Sequence, residues 1–213
     1  VNHRTEIHLD SNSELSHYLI QDNPGDSYQV SNLFYHQAEN SRISSHIFTA
    51  GGHLVRNNIH AELTGEQSDC KISGVSLLNK KQHLDNFTTI RHMAPKSTSS
   101  QAFHGVVSEN SRNVFTGKIY VDRAAQQTAA YQSNRSLMLS DNAHVDARPQ
   151  LEIFADDVSC RHGATVGQLD EASLIYLQSR GIDYRTAKQM LTLAFVKGVT
   201  DHYGHGETRE RVE

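Results

Sequence analysis

Tryptophan is absent from this chain, and cysteine occurs only at Cys70 and Cys160. Two cysteines this far apart make neither a Cys-x-x-Cys pair nor a disulfide framework. That fits a reducing compartment, so a cytoplasmic location is expected. Apolar residues supply 37% of the 213 positions, below the usual globular share, so a thick layered core is not expected. No apolar run approaches the roughly 20 residues that a membrane helix needs, and no signal peptide is visible. The formal net charge is −4 with no block of Lys or Arg, which argues against nucleic acid or an acidic membrane as the main partner. There is no Gly-x-Gly-x-x-Gly, no Walker lysine loop, no Gly-x-Ser-x-Gly and no His-Glu-x-x-His. Nowhere are ligands spaced as in a structural zinc site. The sequence starts at Val1 rather than at methionine, which reads as a fragment.

What the chain does hold, from Thr5 to about Gly167, is alternation with a period of two. Glu6-Ile7-His8-Leu9 and Leu15-Ser16-His17-Tyr18-Leu19 show it. So do the runs that begin at Tyr28, Arg42, His53, Lys71, Gln82, Ala102, Asn113, Ser136 and Gln150. Short strands bounded by Gly, Asn, Asp or Ser, with almost no helix, leave sandwich, barrel or β-solenoid. The low apolar content favours the solenoid, where each coil buries only a few side chains against its neighbours. No clean short repeat is visible. Pro24, Pro95 and Pro149 are expected at strand edges or in turns, and Lys96-Ser97-Thr98-Ser99-Ser100 as a polar loop.

At Leu169 the period changes to that of a helix. Asp170 can cap an N-terminus, with Glu171 in the first turn and Leu169 and Leu174 at staple positions. Leu174, Ile175 and Leu177 form an apolar stripe, and Gly181 follows Arg180 as a stop. Asp183 can cap a second helix whose apolar set is Ala187, Met190, Leu191, Ala194 and Phe195, ended by Lys197 and Gly198. The tail from Thr200 is polar and expected to be mobile. The division is therefore a β core over residues 1–167 and a small helical domain with a polar tail over 168–213.

Fourteen histidines is a high number for this length, and one of them stands out. Cys160 and His162 are two apart on an expected strand, so they share one face, roughly 6–7 Å apart at Cα. A thiolate and an imidazole so placed could share a soft metal such as iron or zinc. A thiol nucleophile would need a third orienting group, and none can be named. Asp156 and Asp157 face opposite ways as strand neighbours and read as a turn or cap rather than an acid/base pair. His83, Asp85 and His92 read as solvent-facing ladder positions.

The run from Ala147 to Asp170, Ala-Arg-Pro-Gln-Leu-Glu-Ile-Phe-Ala-Asp-Asp-Val-Ser-Cys-Arg-His-Gly-Ala-Thr-Val-Gly-Gln-Leu-Asp, resembles the signature of the SufD family. That family belongs to the Suf machinery for iron–sulfur cluster assembly. Gly51-Gly52-His53-Leu54-Val55-Arg56-Asn57-Asn58, Gln82-His83-Leu84-Asp85-Asn86, Val114-Phe115-Thr116-Gly117-Lys118, Asn134 to Asp141 and Leu174 to Ile182 resemble it too. The resemblance runs from residue 3 to residue 198. It implies a right-handed parallel β-helix followed by a small helical C-terminal domain, and an N-terminal helical region not present here. It further implies a scaffold role. The chain would pair with a SufB-like paralogue through the β-helix edge and dock a SufC-like ATPase through the C-terminal helices.

By the same resemblance, Cys160 and His162 match the family's Cys-x-His at the subunit interface. His162 is then the candidate ligand for iron or a nascent cluster, and Cys160 the weaker one. The paralogue carries Glu-His-Glu where this chain has Arg161-His162-Gly163, so this chain offers half a site. No cofactor is expected to be held stably by the chain alone; iron or a cluster would be bound transiently with a partner. Two other readings compete. One is a purely structural adaptor whose Cys160 and His162 hold no metal. The other is a β-helix carbohydrate-active enzyme, for which the sequence shows no set of converging carboxylates. A homodimer of this chain is also expected from a self-complementary edge.

Overall fold

A computed structural model describes residues 1–200 of the chain. The strands are β1 (Asn2–Leu9), β2 (Glu14–Asn23), β3 (Tyr28–Gln37), β4 (Arg42–Gly51), β5 (Leu54–Leu63) and β6 (Asp69–Leu78), then β7 (His83–His92), β8 (Thr98–Val107), β9 (Arg112–Val121), β10 (Thr128–Met138), β11 (His144–Ile153) and β12 (Val158–Gly167). Two helices follow, α1 (Glu171–Ser179) and α2 (Tyr184–Thr200). Odd-numbered strands form one sheet in the order β1-β3-β5-β7-β9-β11, and even-numbered strands form the other, β2-β4-β6-β8-β10-β12. Neighbours in both sheets are parallel. Each coil of this β-solenoid lays one strand in each sheet, so every strand pairs with those one coil before and one coil after.

Alternation does the sorting. In β3, β7 and β9 nearly every second residue is buried between the sheets. Leu33, Tyr35, Ile43, Ile47, Ile59, Ile72, Ile90 and Phe103 fill one stretch of the interior. Smaller apolar clusters around Ile119 and Leu84 and many buried polar side chains fill the rest, which is how 37% apolar residues suffice. Gln21 of β2 begins a buried amide chain: its Nε2 donates to Asn57 Oδ1 at 3.0 Å, and its Oε1 accepts from Thr49 Oγ1 at 2.8 Å. Asn57 Nδ2 donates onward to Asn86 Oδ1 at 2.9 Å. A buried amide is tolerated when such a partner meets it, and the bonds run from coil to coil.

The corners repeat although the residues do not. Asn12, Asn40, Gln67, Lys96 and Gln127 all take positive φ at the same corner of successive coils. Each is followed by Ser or Thr whose hydroxyl donates to the carbonyl three residues back: Ser13 to Asp10, Ser41 to Ala38, Ser68 to Gly65, Ser97 to Ala94, Thr128 to Ala125. The backbone N–H of each positive-φ residue reaches the next coil, as Asn40 N does to Glu66 O at 2.8 Å. A left-handed residue turns the chain sharply, and the hydroxyl locks the turn.

Several expectations need correction. The polar run at Lys96 is a corner that opens directly into β8 at Thr98, because its serines are interior ligands for a histidine. His92 is not solvent-facing. It is fully buried, with Nδ1 2.7 Å from Ser97 Oγ and Nε2 2.8 Å from Ser99 Oγ. Pro149, by contrast, does sit at a strand edge, within β11. That strand is the last of its sheet. The N–H groups of His144 and Phe154 point to β9, so by alternation the nitrogen of Pro149 faces the free edge and no ladder bond is lost.

The helix starts agree with the capping chemistry. Asp170 accepts from Ser173 N at 2.8 Å, and Asp183 from Thr186 N at 3.1 Å. Gly181 takes positive φ, and Ile182 N closes back on Leu177 O at 3.2 Å. The faces differ from expectation. Ile175 is exposed, as are Met190 and Ala194, whereas Val196 and Val199 are buried. The reason is that the second half of α2 lies on the outer face of the even-numbered sheet, where Val196 and Val199 join Phe48, Val75 and Val106. Gly198 does not stop the helix, which continues to Thr200. A Cβ there would come within 3.3 Å of His104 Cε1, so the glycine lets the helix approach the sheet. The rest of the polar tail lies outside the described residues.

Candidate functional site at the last coil

Cys160 and His162 both lie on β12, in parallel register with Ala130 and Gln132 of β10. Their side chains point to the interior side of the sheet, but β12 is the last strand and no further coil covers it. Cys160 is half-buried against Ala130, Ala155 and Val158, and burial pushes its thiol above the usual range. His162 is exposed. The pair is therefore an interior column reaching the open end of the solenoid. Asp156 and Asp157 form the preceding turn, where Asp157 N donates to Gln126 Oε1 and Asp157 O accepts from Gln127 N.

Columns are continuous. Cys70, Ser99, Ala130 and Cys160 stand in register on β6, β8, β10 and β12. Three strand spacings separate the cysteines by about 14 Å, too far for a disulfide. Cys70 is fully buried, and burial raises its thiol strongly. The adjoining column runs Gln101, Gln132, His162. Gln132 is completely buried, yet neither atom of its amide has a hydrogen-bond partner. Gly117 makes the room for it, since a Cβ at that position would fall 1.9 Å from Gln132 Nε2.

Beside His162, Arg161 points to the other face, with its guanidinium 5.3 Å from the centre of the Tyr131 ring. Among the described residues, no third histidine, cysteine or carboxylate closes around Cys160 and His162. A cleft of about 400 Å³ opens where α1 and α2 meet the turn after β10, lined in part by Leu139, Leu169, Ile175, Tyr184 and Lys188. Ile175 and Tyr184 of that lining are exposed, and the helices expose Tyr176 and Met190 as well. No helix among the described residues is long and apolar enough to cross a membrane. Sequence reading missed one cluster, Glu6, His8 and His36, at the opposite end. Its members meet only once the coil length is known, and that length is not constant.

Fold and site together define a parallel β-solenoid scaffold with unpaired strands at its last coil and an appended pair of helices. Residues 1–195 match the family described as SUF system FeS cluster assembly, SufBD core domain. The chain is 37% identical over 203 residues to the iron–sulfur cluster assembly protein SufD of Escherichia coli, covering 93% of this chain and 47% of that one. It is 34% identical over 197 residues to an iron–sulfur cluster assembly SufBD family protein of Synechocystis, covering 92% and 44%. A chloroplastic protein of Arabidopsis thaliana is 33% identical over 207 residues, covering 97% and 44%. The chain belongs to the SufD family. It spans less than half the length of these relatives.

Proposed function

We propose that this chain is the SufD-type scaffold subunit of an iron–sulfur cluster assembly complex in the cytoplasm, not an enzyme, with a β-solenoid core over residues 1–167 and a helical docking domain after it. It pairs with a SufB-like paralogue through β11 and β12, and takes a SufC-like ATPase on α1 and α2. It brings His162, with Cys160 behind it, as half of a site for iron or a nascent cluster. The observation that carries this reading is the open last coil. β12 presents both an unpaired edge and an inward-facing imidazole that no coil of this chain covers. An edge of free N–H and C=O groups is completed by a strand from another chain. A second β-solenoid seated there would cover His162 and supply further ligands to it.

His162 is the better ligand of the two. Burial holds the Cys160 thiol in its protonated form, whereas a metal needs the thiolate. The exposed Ile175 and Tyr184 that line the cleft, with Lys188, give the ATPase an amphipathic surface. Motion of those helices would be transmitted to the sheet through α2.

The test uses the full-length protein with its SufB-like and SufC-like partners. His162→Ala is expected to leave the complex intact by gel filtration and to lower the cluster assembled on it at least tenfold. Normal assembly on an intact complex would sink the ligand role. Cys160→Ser is expected to cost less than threefold.

A further inference from the structure

At the other end of the solenoid, Glu6, His8 and His36 converge on the outer face of the odd-numbered sheet. Glu6 and His8 are two apart on β1, so they share a face. His36 stands directly beside His8 in the parallel register of β1 and β3. The Nε2 atoms of both histidines approach the same carboxylate oxygen, Oε1 of Glu6, at 3.2 Å from His8 and 3.6 Å from His36. Two ligand atoms on one tetrahedral ion, with bonds of about 2.0–2.1 Å, lie about 3.3 Å apart. The distances present bracket that value.

The surroundings orient the ligands. His36 Nδ1 is 3.4 Å from Oε2 of Glu62, its register neighbour on β5. Glu62 in turn accepts from Arg91 Nη1 at 3.3 Å. A carboxylate this close to Nδ1 favours the tautomer protonated there, which leaves the Nε2 lone pair free for a metal. That is the arrangement by which a carboxylate fixes the tautomer of a metal-binding histidine. On the far side, Arg4 donates to Glu6 Oε2 at 2.7 Å, which leaves Oε1 turned to the two rings. The rings of His8 and His36 now stack with centroids 4.6 Å apart and planes 13° from parallel. One ion cannot lie in both ring planes at once. His8, whose side chain is 66% exposed, is free to turn out of the stack.

We infer that Glu6, His8 and His36 form a two-histidine, one-carboxylate site for a divalent first-row transition ion, with Glu62 as the positioning residue for His36. Imidazole donors select such ions over magnesium or calcium, and three protein ligands leave positions open to water. The site is independent of Cys160 and His162, which lie about five strand spacings of roughly 4.8 Å away along the stack. It does not rest on the function proposed above.

The test is cobalt(II) chloride titrated into the tag-free, metal-stripped chain, followed by ligand-field absorption and by calorimetry, with zinc as competitor. One equivalent is expected to bind. His8→Ala and His36→Ala are each expected to weaken binding at least tenfold. Glu62→Gln is expected to weaken it about tenfold, in the range usual for a group that holds a ligand in place. Cys160→Ser combined with His162→Ala is expected to leave the affinity unchanged. Glu6, His8 and Glu62 side chains reach solvent, and far-UV circular dichroism checks that each variant folds. Wild-type affinity in both histidine variants, or no binding below millimolar cobalt, would overturn the assignment. So would loss of the binding in the Cys160/His162 double variant.

Discussion

His104 Nδ1 donates to the backbone carbonyl of Phe195 at 3.0 Å, joining β8 to α2 across 91 residues of sequence. Since a carbonyl only accepts, Nδ1 carries the proton. The His104 ring also stacks on the Phe195 ring at 4.8 Å between centroids. This contact, with the close approach at Gly198, ties the helical segment to the coils. His104→Ala is expected to deprotect the amides of α2 about tenfold in hydrogen exchange while those of β3 to β9 hold. Uniform protection in the variant would show that the apolar contacts of Val196 and Val199 suffice.

Acid is expected to destabilise the fold through its buried histidines. Burial holds His92 down to about 4, and it lowers His17, His60, His83 and His104 as well. A folded-state pKa below the unfolded value means that the unfolded chain binds more protons. The stabilisation is therefore complete above the unfolded value of 6.5 and is lost as pH falls from there to about 4. For His92 alone the loss across that window is about 3 kcal/mol, at about 1.4 kcal/mol per pH unit. Urea midpoints measured from pH 7.5 to pH 4 are expected to fall steadily, and less steeply in His92→Gln. A flat profile would contradict the burial of His92.

Gln132 is expected to be replaceable. An amide buried without a partner costs about 1–3 kcal/mol, and an apolar group of similar shape removes that cost. Gln132→Met should unfold at a urea midpoint equal to or above that of the parent. A loss exceeding about 1 kcal/mol would show that the amide has a partner in solution, the obvious one being ordered water.

The free edge of β11 offers a separate handle on pairing. By the alternation that places the nitrogen of Pro149 outward, Ala147 N also faces the edge and makes no bond to β9. Ala147→Pro is thus expected to leave the unfolding midpoint of the isolated chain within about 0.5 kcal/mol of the parent, the usual span for a surface change. Association with a SufB-like partner is expected to weaken at least tenfold by sedimentation or surface capture. Unaltered association would remove β11 from the interface.

How much of this was legible can be judged from particular residues. Strand parity was fully present in the sequence: Leu84, Asn86, Thr88 and Ile90 alternate inward, and His92 falls on the same parity. Histidine is intermediate in burial, so its residue type does not announce a core position. The two helix caps, Asp170 and Asp183, could be read because their bonds are local. The repeat could not. Its corners use Asn, Gln and Lys at positive φ where glycine would have announced them. The coil length also drifts, from 26 residues between Tyr28 and Leu54 to 32 between Arg112 and His144. That Cys160 and His162 share one face followed from their spacing. Their position on an uncovered coil did not, because that depends on how many coils precede them. The cluster of Glu6, His8 and His36 was hidden for the same reason, being local in the coil and distant in the chain.

The drift in coil length has a consequence for measurement along the molecule. From Cys70 to Ser99, Ala130 and Cys160 the chain advances by unequal numbers of residues, yet the column stays straight because the surplus is spent at the corners. Distance along the axis is thus counted in whole strands and is blind to chain length. An insertion at a corner moves nothing above or below it, whereas a single residue added within a strand would turn every later side chain of that strand to the opposite face. The molecule is a ruler whose divisions are fixed by hydrogen bonds, and the separation between its two ends can change only by a full division.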